Sequence, residues 1–380
     1  MNTLEKLSFE KLRSRSQEAM AEWRAQGGKV VGYTCIYVPE EVIQAAGMLP
    51  VRIFGGLESS PKAESLLQVN LCSFVRSCLG EALEGRLEEL DGLVAARTCS
   101  QIVKLYDLWE LYLKPPFLCL LDHPHRISPL ATSYYEKELR RFIQELAGYG
   151  KVQITEEALR EAIVQCNEGR SLLRKIYELR HAPNPRLWGS EALQMVRAAM
   201  VLPKPEANRL LRELMEELSQ RELSLPEGLP RLLVSGSMVD NPAFIQAVEE
   251  AGAVVVCDDL CLGTRYFWEE VPLEPAGDPI AALARHYVER IPCAHIYPRQ
   301  KRFEHLRQLA HSFQVDGAIL FTVKFCDTYV FDGPGCTEML RGEGIPTLEL
   351  DIEHSTVSVG QIRTRVQAFL EMLETNLAQR

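Results

Sequence analysis

Short apolar runs alternate with stretches whose apolar positions recur at helical spacing. Val30-Val31, Val51–Phe54, Leu93–Ala96 and Phe117–Leu121 read as strands. Residues 3–26 read as an amphipathic helix carrying Leu4, Leu7, Leu12, Met20 and Trp23, and Gly27-Gly28 stops it. Pro39 fits the first turn of a second helix, with Glu40 and Glu41 favourable beside its N-terminus. Further helices are expected to begin near Cys72 and after Cys99. Residues 133–222 lose the strands and read as charged helices, with Thr155 as an N-cap and breaks at "RHAPNPRLWGS" and "VLPKPEANR". From Arg231 the alternation returns: "RLLVSGS", "AVVVCDDL", "AILFTVKF" and "PTLELDI" are strands. "NPAFIQAVEEAG", "FEHLRQLAHSFQVDG", "CTEMLRGEGI" and "VGQIRTRVQAFLEMLETN" are helices.

Strands that alternate with helices imply parallel pairing. The expected fold is α/β: two doubly wound parallel-sheet lobes joined by a helical segment. The boundaries place an N-terminal helix and the first lobe in 1–130, the helical bridge in 131–228 and the second lobe in 229–380. No short-period repeat or low-complexity segment interrupts this plan.

Composition narrows the function. The 380 residues are 46% hydrophobic and 25% charged, with a net charge of −10. An acidic chain does not suit general nucleic-acid binding, which needs a basic face, although a local basic pocket for an acidic ligand stays open. Residues 1–28 have no apolar core of a signal peptide. No apolar run of about 18 residues suggests a membrane span. A cytoplasmic location, with neither nucleic acid nor membrane as partner, is the expectation.

Eleven cysteines are many for a reducing compartment, and an odd number cannot all pair. Cys119, Cys166, Cys78, Cys257 and Cys293 read as small buried hydrophobes. Ligands of open parallel sheets bind at the carboxyl ends of the strands. Cys35, Cys99 and Cys326 follow predicted strands there, and Cys72 sits at a helix start, where the dipole favours a thiolate. Cys99 and Cys326 share a layout: Asp-Gly, an apolar run, then cysteine, in "DGLVAARTC" and "DGAILFTVKFC". No C-x-x-C or His-x-x-x-His exists, so a metal site would be assembled from distant segments. Cys78 lies on another helical face from Cys72 and is left out. "SGSMVDNP" lacks dinucleotide-loop glycines, and there is no P-loop. Arg265 could meet an anion or form a surface ion pair. Asp258 and Asp259 could act as acid and base or be solvated caps. Arg363 and Arg365 are as suited to salt bridges as to phosphate.

The blocks "VGYTCIYVPEEVIQAAGMLPVRIFG", "NLCSFVRSCLGEALEG", "LDGLVAARTCSQIVKLYDLWE", "CDDLCLGTRYF", "VKFCDTYVFD" and "GIPTLELDIEHSTVSVGQIRTRVQAFLEML" resemble, in order, the 2-hydroxyacyl-CoA dehydratase and benzoyl-CoA reductase family, in particular the D-component type subunit of 2-hydroxyglutaryl-CoA dehydratase. The likeness runs from about Gly28 to Leu373. It implies a lyase subunit with a [4Fe-4S] cluster between two lobes, held by three cysteines that match Cys72, Cys99 and Cys326 here. It also implies an acyl-CoA substrate, an ATP-hydrolysing activator iron–sulfur protein that injects one electron, and a related second subunit or a second copy. The electron makes a ketyl radical anion that expels the 2-hydroxyl group. Three thiolates would leave one iron free to polarise the thioester oxygen, and burial would keep water from a radical.

Two alternatives stand beside this expectation. One branch of the family forms homodimers with a double-cubane [8Fe-9S] cluster and reduces small molecules. Cys35 and Cys261 match cysteines expected there, so Cys35 is a conditional further ligand, but no additional cysteine lies between Cys78 and Cys99. Ile36 stands where substrate-handling members tend to carry a small hydroxyl residue, and Ser100 where the family is often acidic. Both fit a non-catalytic partner subunit. A zinc-binding or metal-free α/β protein is the reading outside the family.

Overall fold

A buried strand must satisfy its backbone by pairing with neighbours, and a strand covered on both faces is apolar throughout. The computed structural model describes residues 5–56, 60–223, 228–354 and 358–377, and places the apolar runs in this way. The first lobe contains α1 (Glu5–Ala25), β1 (Val30–Tyr33), α2 (Glu40–Ala45), β2 (Leu49–Arg52), α3 (Pro61–Leu66), α4 (Ser73–Leu83), β3 (Gly92–Ala96), α5 (Ser100–Leu108) and β4 (Phe117–Leu121). Its sheet is parallel in the order β2-β1-β3-β4. Central β1 and β3 are buried at every position, whereas β4, at one edge, alternates buried and half-buried residues.

Four longer helices follow: α6 (Pro129–Gly150), α7 (Glu156–Glu178), α8 (Gly189–Ala199) and α9 (Lys204–Gln220). Thr155 caps α7 as expected, its hydroxyl accepting from the Ala158 amide at 3.1 Å, and Ser128 caps α6 in the same manner. Helix α7 packs on α2 of the first lobe and also reaches the second lobe, where Asn167 donates to Val271 O at 2.9 Å.

The second lobe contains β5 (Arg231–Gly236), α10 (Pro242–Glu250), β6 (Val254–Asp259), α11 (Thr264–Phe267), α12 (Pro279–Glu289), α13 (Gln300–Ser312), β7 (Gly317–Val323), α14 (Asp327–Gly342), β8 (Thr347–Ile352) and α15 (Ser358–Leu377). Its parallel order, β6-β5-β7-β8, repeats that of the first lobe. Two expected boundaries move. The helix anticipated from Cys336 begins at Asp327 and runs through Pro334. The second strand lies at Leu49–Arg52, two residues earlier than its apolar run suggests.

The repeated Asp-Gly layout has a structural cause. Asp91 Oδ2 accepts from the Val30 amide at 2.8 Å, and Asp316 Oδ2 accepts from the Arg231 amide at 2.7 Å. Each aspartate therefore anchors the first residue of the central strand beside its own. Among the described residues no helix is long and apolar enough to cross a membrane.

Candidate metal centre

In both sheets the strand order reverses between the two central strands, so a crevice opens at their carboxyl ends. In the first lobe Cys35 follows β1 and Cys99 follows β3. In the second, Ser237 and Met238 follow β5 and Cys326 follows β7. The two crevices face one cavity of about 370 Å³. Cys35, Cys72, Cys99, Cys261, Cys293 and Cys326 all line it. The structure thus brings together the three cysteines expected as ligands, the conditional Cys35, and two more. Cys261 is expected only through the family resemblance. Cys293 reads in the sequence as a plain buried hydrophobe, and its place in the cavity corrects that reading. Cys78, Cys119, Cys166 and Cys257 are buried and do not line the cavity.

Three of the sulfurs stand at helix starts. Cys72 is the N-cap of α4, Cys99 of α5 and Cys326 of α14. Burial pushes the Cys72 thiol up to about 12 and the Cys99 thiol up to about 11, and it raises Cys326 as well. Backbone amides oppose that cost: Phe74 and Val75 act on Cys72, Gln101 and Ile102 on Cys99, and Tyr329 on Cys326. A thiolate here would be stabilised by these N–H groups and by the positive end of each helix dipole. Adjacent contacts tie the three loops together. The Cys72 amide donates to Gln101 Oε1 at 3.4 Å, and the Ser73 amide donates to Lys324 O at 3.4 Å across the lobes. Phe325, just before Cys326, has φ of 64°, a left-handed conformation costly for a bulky residue.

Cys261 and Cys293 form a second group. The Cys261 thiol is raised chiefly by its hydrogen bond to Cys293, and the same bond favours a thiolate at Cys293, with His295 adding to the effect. Arg265 Nη1 donates to Cys293 Sγ at 3.4 Å, and the Tyr329 hydroxyl lies 3.6 Å from it. The Tyr37 hydroxyl accepts from the Cys293 amide at 2.9 Å, which holds this loop against the first lobe. Burial raises Cys35, while Arg52 partly offsets the shift. At the rim His125 Nε2 lies 2.9 Å from Arg97 O, and the His125 and His295 rings are 5.2 Å apart.

Arg265 and the two aspartates also require correction. Arg265 is buried, 1% exposed, and its Nε lies 3.1 Å from Asp259. It is therefore neither a surface ion pair nor free for an external anion. Asp258 accepts from the Tyr177 hydroxyl at 2.9 Å and lies 3.7 Å from Arg180, so both acids belong to buried networks rather than solvated caps. Arg365 donates to Glu349 O at 2.9 Å from an exposed position on α15.

The donor set tests what the cavity could hold. Soft sulfur donors suit zinc, copper(I) or iron–sulfur clusters. Among the described residues, no three His, Cys, Asp or Glu side chains stand close enough to hold one metal ion. Thiols spread around a cavity, by contrast, suit a group with several metal atoms, each taking one sulfur. The Thr34 hydroxyl and His295 Nε2, both buried at its wall, find no hydrogen-bond partner among the described residues. The residues present therefore fit an iron–sulfur cluster.

Sequence comparison places the chain among known proteins. The family described as 2-hydroxyglutaryl-CoA dehydratase, D-component, matches residues 35–373. The chain belongs to this family. It is 26% identical to the (R)-phenyllactyl-CoA dehydratase beta subunit of Clostridium sporogenes, over 93% of this chain and 94% of that protein. It is also 26% identical to one of the subunits of the benzoyl-CoA reductase of Thauera aromatica, over 91% of each. The (R)-2-hydroxyglutaryl-CoA dehydratase subunit beta of Acidaminococcus fermentans is 25% identical, over 96% of this chain and 98% of that protein. These members of the D-component family are subunits of dehydratases and of a reductase. All six cavity cysteines fall within the matched span.

Proposed function

We propose that this chain is an electron-transferring iron–sulfur protein that holds a double-cubane [8Fe-9S] cluster in the six-cysteine cavity and reduces a small molecule after ATP-driven electron delivery by an activator. The observation that supports this reading is the number of sulfurs around one cavity. Two cubanes joined by one sulfide leave about three irons on each for the protein, and so call for about six thiolates. The cavity offers Cys35, Cys72, Cys99, Cys261, Cys293 and Cys326. Such a cluster would supply low-potential electrons. The chain's own side chains would do the rest. Phe74, Val75, Ile102 and Val323 exclude water from the sulfurs. The N-terminal amides of α4, α5 and α14 favour the thiolates, and Arg265 and Tyr329 hold the Cys293 sulfur in place.

A second reading rests on a different observation. Cys72, Cys99 and Cys326 alone are helix N-caps with amides acting on the sulfur. This trio suits a single [4Fe-4S] cluster with one open iron, in a dehydratase-type lyase subunit acting on a 2-hydroxyacyl-CoA beside a related partner subunit. Ile36 is compatible with a role for this chain as the non-catalytic member of such a pair.

Anaerobic purification with iron and sulfide counted per chain separates the readings. About eight irons and nine sulfides support the double cubane, and about four of each the single cluster. A chain that takes up no iron under reconstitution would sink both.

A further inference from the structure

Most buried cations among the described residues come with carboxylates. Lys204 is 2.8 Å from Glu40, Arg265 and Arg302 are each 3.1 Å from Asp259, and Arg170 is paired with Glu41. Arg290 has no acid but donates to the carbonyls of Ile36, Arg265 and Tyr266. Arg52 has neither an acid nor such a set of carbonyls. It is the last residue of β2 and is 3% exposed. Among the described residues its Nη1 donates to Tyr33 O at 3.2 Å, its Nη2 reaches only the Met238 thioether at 3.7 Å, and its Nε has no hydrogen-bond partner. No carboxylate among the described residues pairs with it. A buried guanidinium without a counter-charge is costly. Its place indicates what could supply that charge, because Arg52 lines the six-cysteine cavity beside Cys35.

We infer that Arg52 is the counter-charge of the cluster proposed for this cavity, and that its positive charge raises the cluster's reduction potential. The inference rests on the reading given under Proposed function. A thiolate-ligated cluster carries net negative charge, and reduction adds one more unit. A fixed cation in a low-dielectric cavity stabilises the reduced state more than the oxidised one. Arg52 is thus a positioning charge, making no bond to iron. A rival occupant exists, since Arg52 also lines a cavity of about 580 Å³ beneath α1, where an organic anion could sit.

The test uses the full chain, loaded anaerobically, with iron and sulfide counted before an EPR-monitored redox titration. Arg52→Gln should keep its iron and move the midpoint to lower potential. At the wild-type midpoint it should hold about tenfold fewer reduced clusters per oxidised one, or about 59 mV for a one-electron couple. Arg52→Lys, which keeps the charge but not the fork, should restore most of the shift. Full iron and an unmoved midpoint in Arg52→Gln overturn the inference and point to the anion. Iron lost from Arg52→Gln but kept by Arg52→Lys supports it, while iron lost from both folded variants overturns it in favour of a purely steric role. If Arg52→Gln does not fold, Arg52→Met replaces it, with the same outcomes. If neither neutral variant folds, Arg52→Lys decides: a wild-type midpoint supports the inference, and a midpoint as low as expected for the neutral variants overturns it. A wild-type chain that binds no iron instead defeats the proposed function itself.

Discussion

Cys293 separates the two readings of the centre at the level of one residue. If the cavity holds a double cubane, Cys293→Ala should remove a ligand and lower iron per chain toward half, and Cys261→Ala should do the same. Iron counts equal to wild type in both variants would favour a single cluster on Cys72, Cys99 and Cys326. The strand-end cysteines were legible because a parallel sheet delivers its loops to one edge. Cys293 was not, because it lies in "RIPCAHIYPRQ", a loop far from any strand end. Its position depends on the Tyr37 hydroxyl and Arg265, which no local pattern connects to it. The nearest sequence signal was His295, two residues on, a second metal-ligand side chain near a cysteine. Arg265 and Asp259 failed to read correctly for a related reason: each looks exposed until the other is seen to neutralise it inside the fold.

Among the elements, the strands were the most legible part of the chain, since all eight overlap segments read as strands, β2 with a shift of two residues. Helix α14 was the least, because Pro334 and two glycines disguise its middle as a loop. Caps followed their chemistry, and this can be measured. Thr155→Ala should destabilise the chain by about 1 kcal/mol in urea unfolding. Helix α2 departs further from expectation. Its Glu40 and Glu41 suit a helix N-terminus, yet both are buried and face cations on other helices. Glu41→Gln leaves Arg170 without a charge partner in the interior, so a loss of about 3–5 kcal/mol is expected by the same assay. A loss under about 1 kcal/mol would mean that the Tyr287 hydroxyl and Asn167 already satisfy that region.

At the scale of the molecule, the lobes share an apolar core and polar contacts rather than a continuous sheet. Asp240 of the second lobe accepts from the Gly55 amide at 2.8 Å and pairs with His354, whose Nδ1 is 3.2 Å from Gly56 O. The pair depresses Asp240 and raises His354, in each case against a burial cost, and the opposite charge of the partner is the stabilising cause. The histidine contribution is complete below about pH 6.5 and fades as pH rises through its raised folded value. That of the aspartate is complete above about pH 4 and fades as pH falls through its lowered value. The melting-temperature gap between wild type and His354→Gln should therefore be wider near about pH 6 than near about pH 9, measured without added iron. An equal gap at both values would show that His354 is neutral in the fold. The plan of two similar lobes was legible from alternation alone. The contacts that fix their facing edges were not, because Gly55, Asp240 and His354 carry no common pattern in the chain.

The spread of cavity cysteines from Cys35 to Cys326 also bears on how the protein is made. On the proposed reading, the first lobe, with Cys35, Cys72 and Cys99, leaves the ribosome while most of the chain is still unmade. Its three thiols then have no facing wall. Cluster insertion cannot finish until Cys326 has emerged and the second lobe has closed over it. Until then the nascent chain is most exposed to oxidants and stray metals, so the timing of translation becomes part of the chemistry of the site.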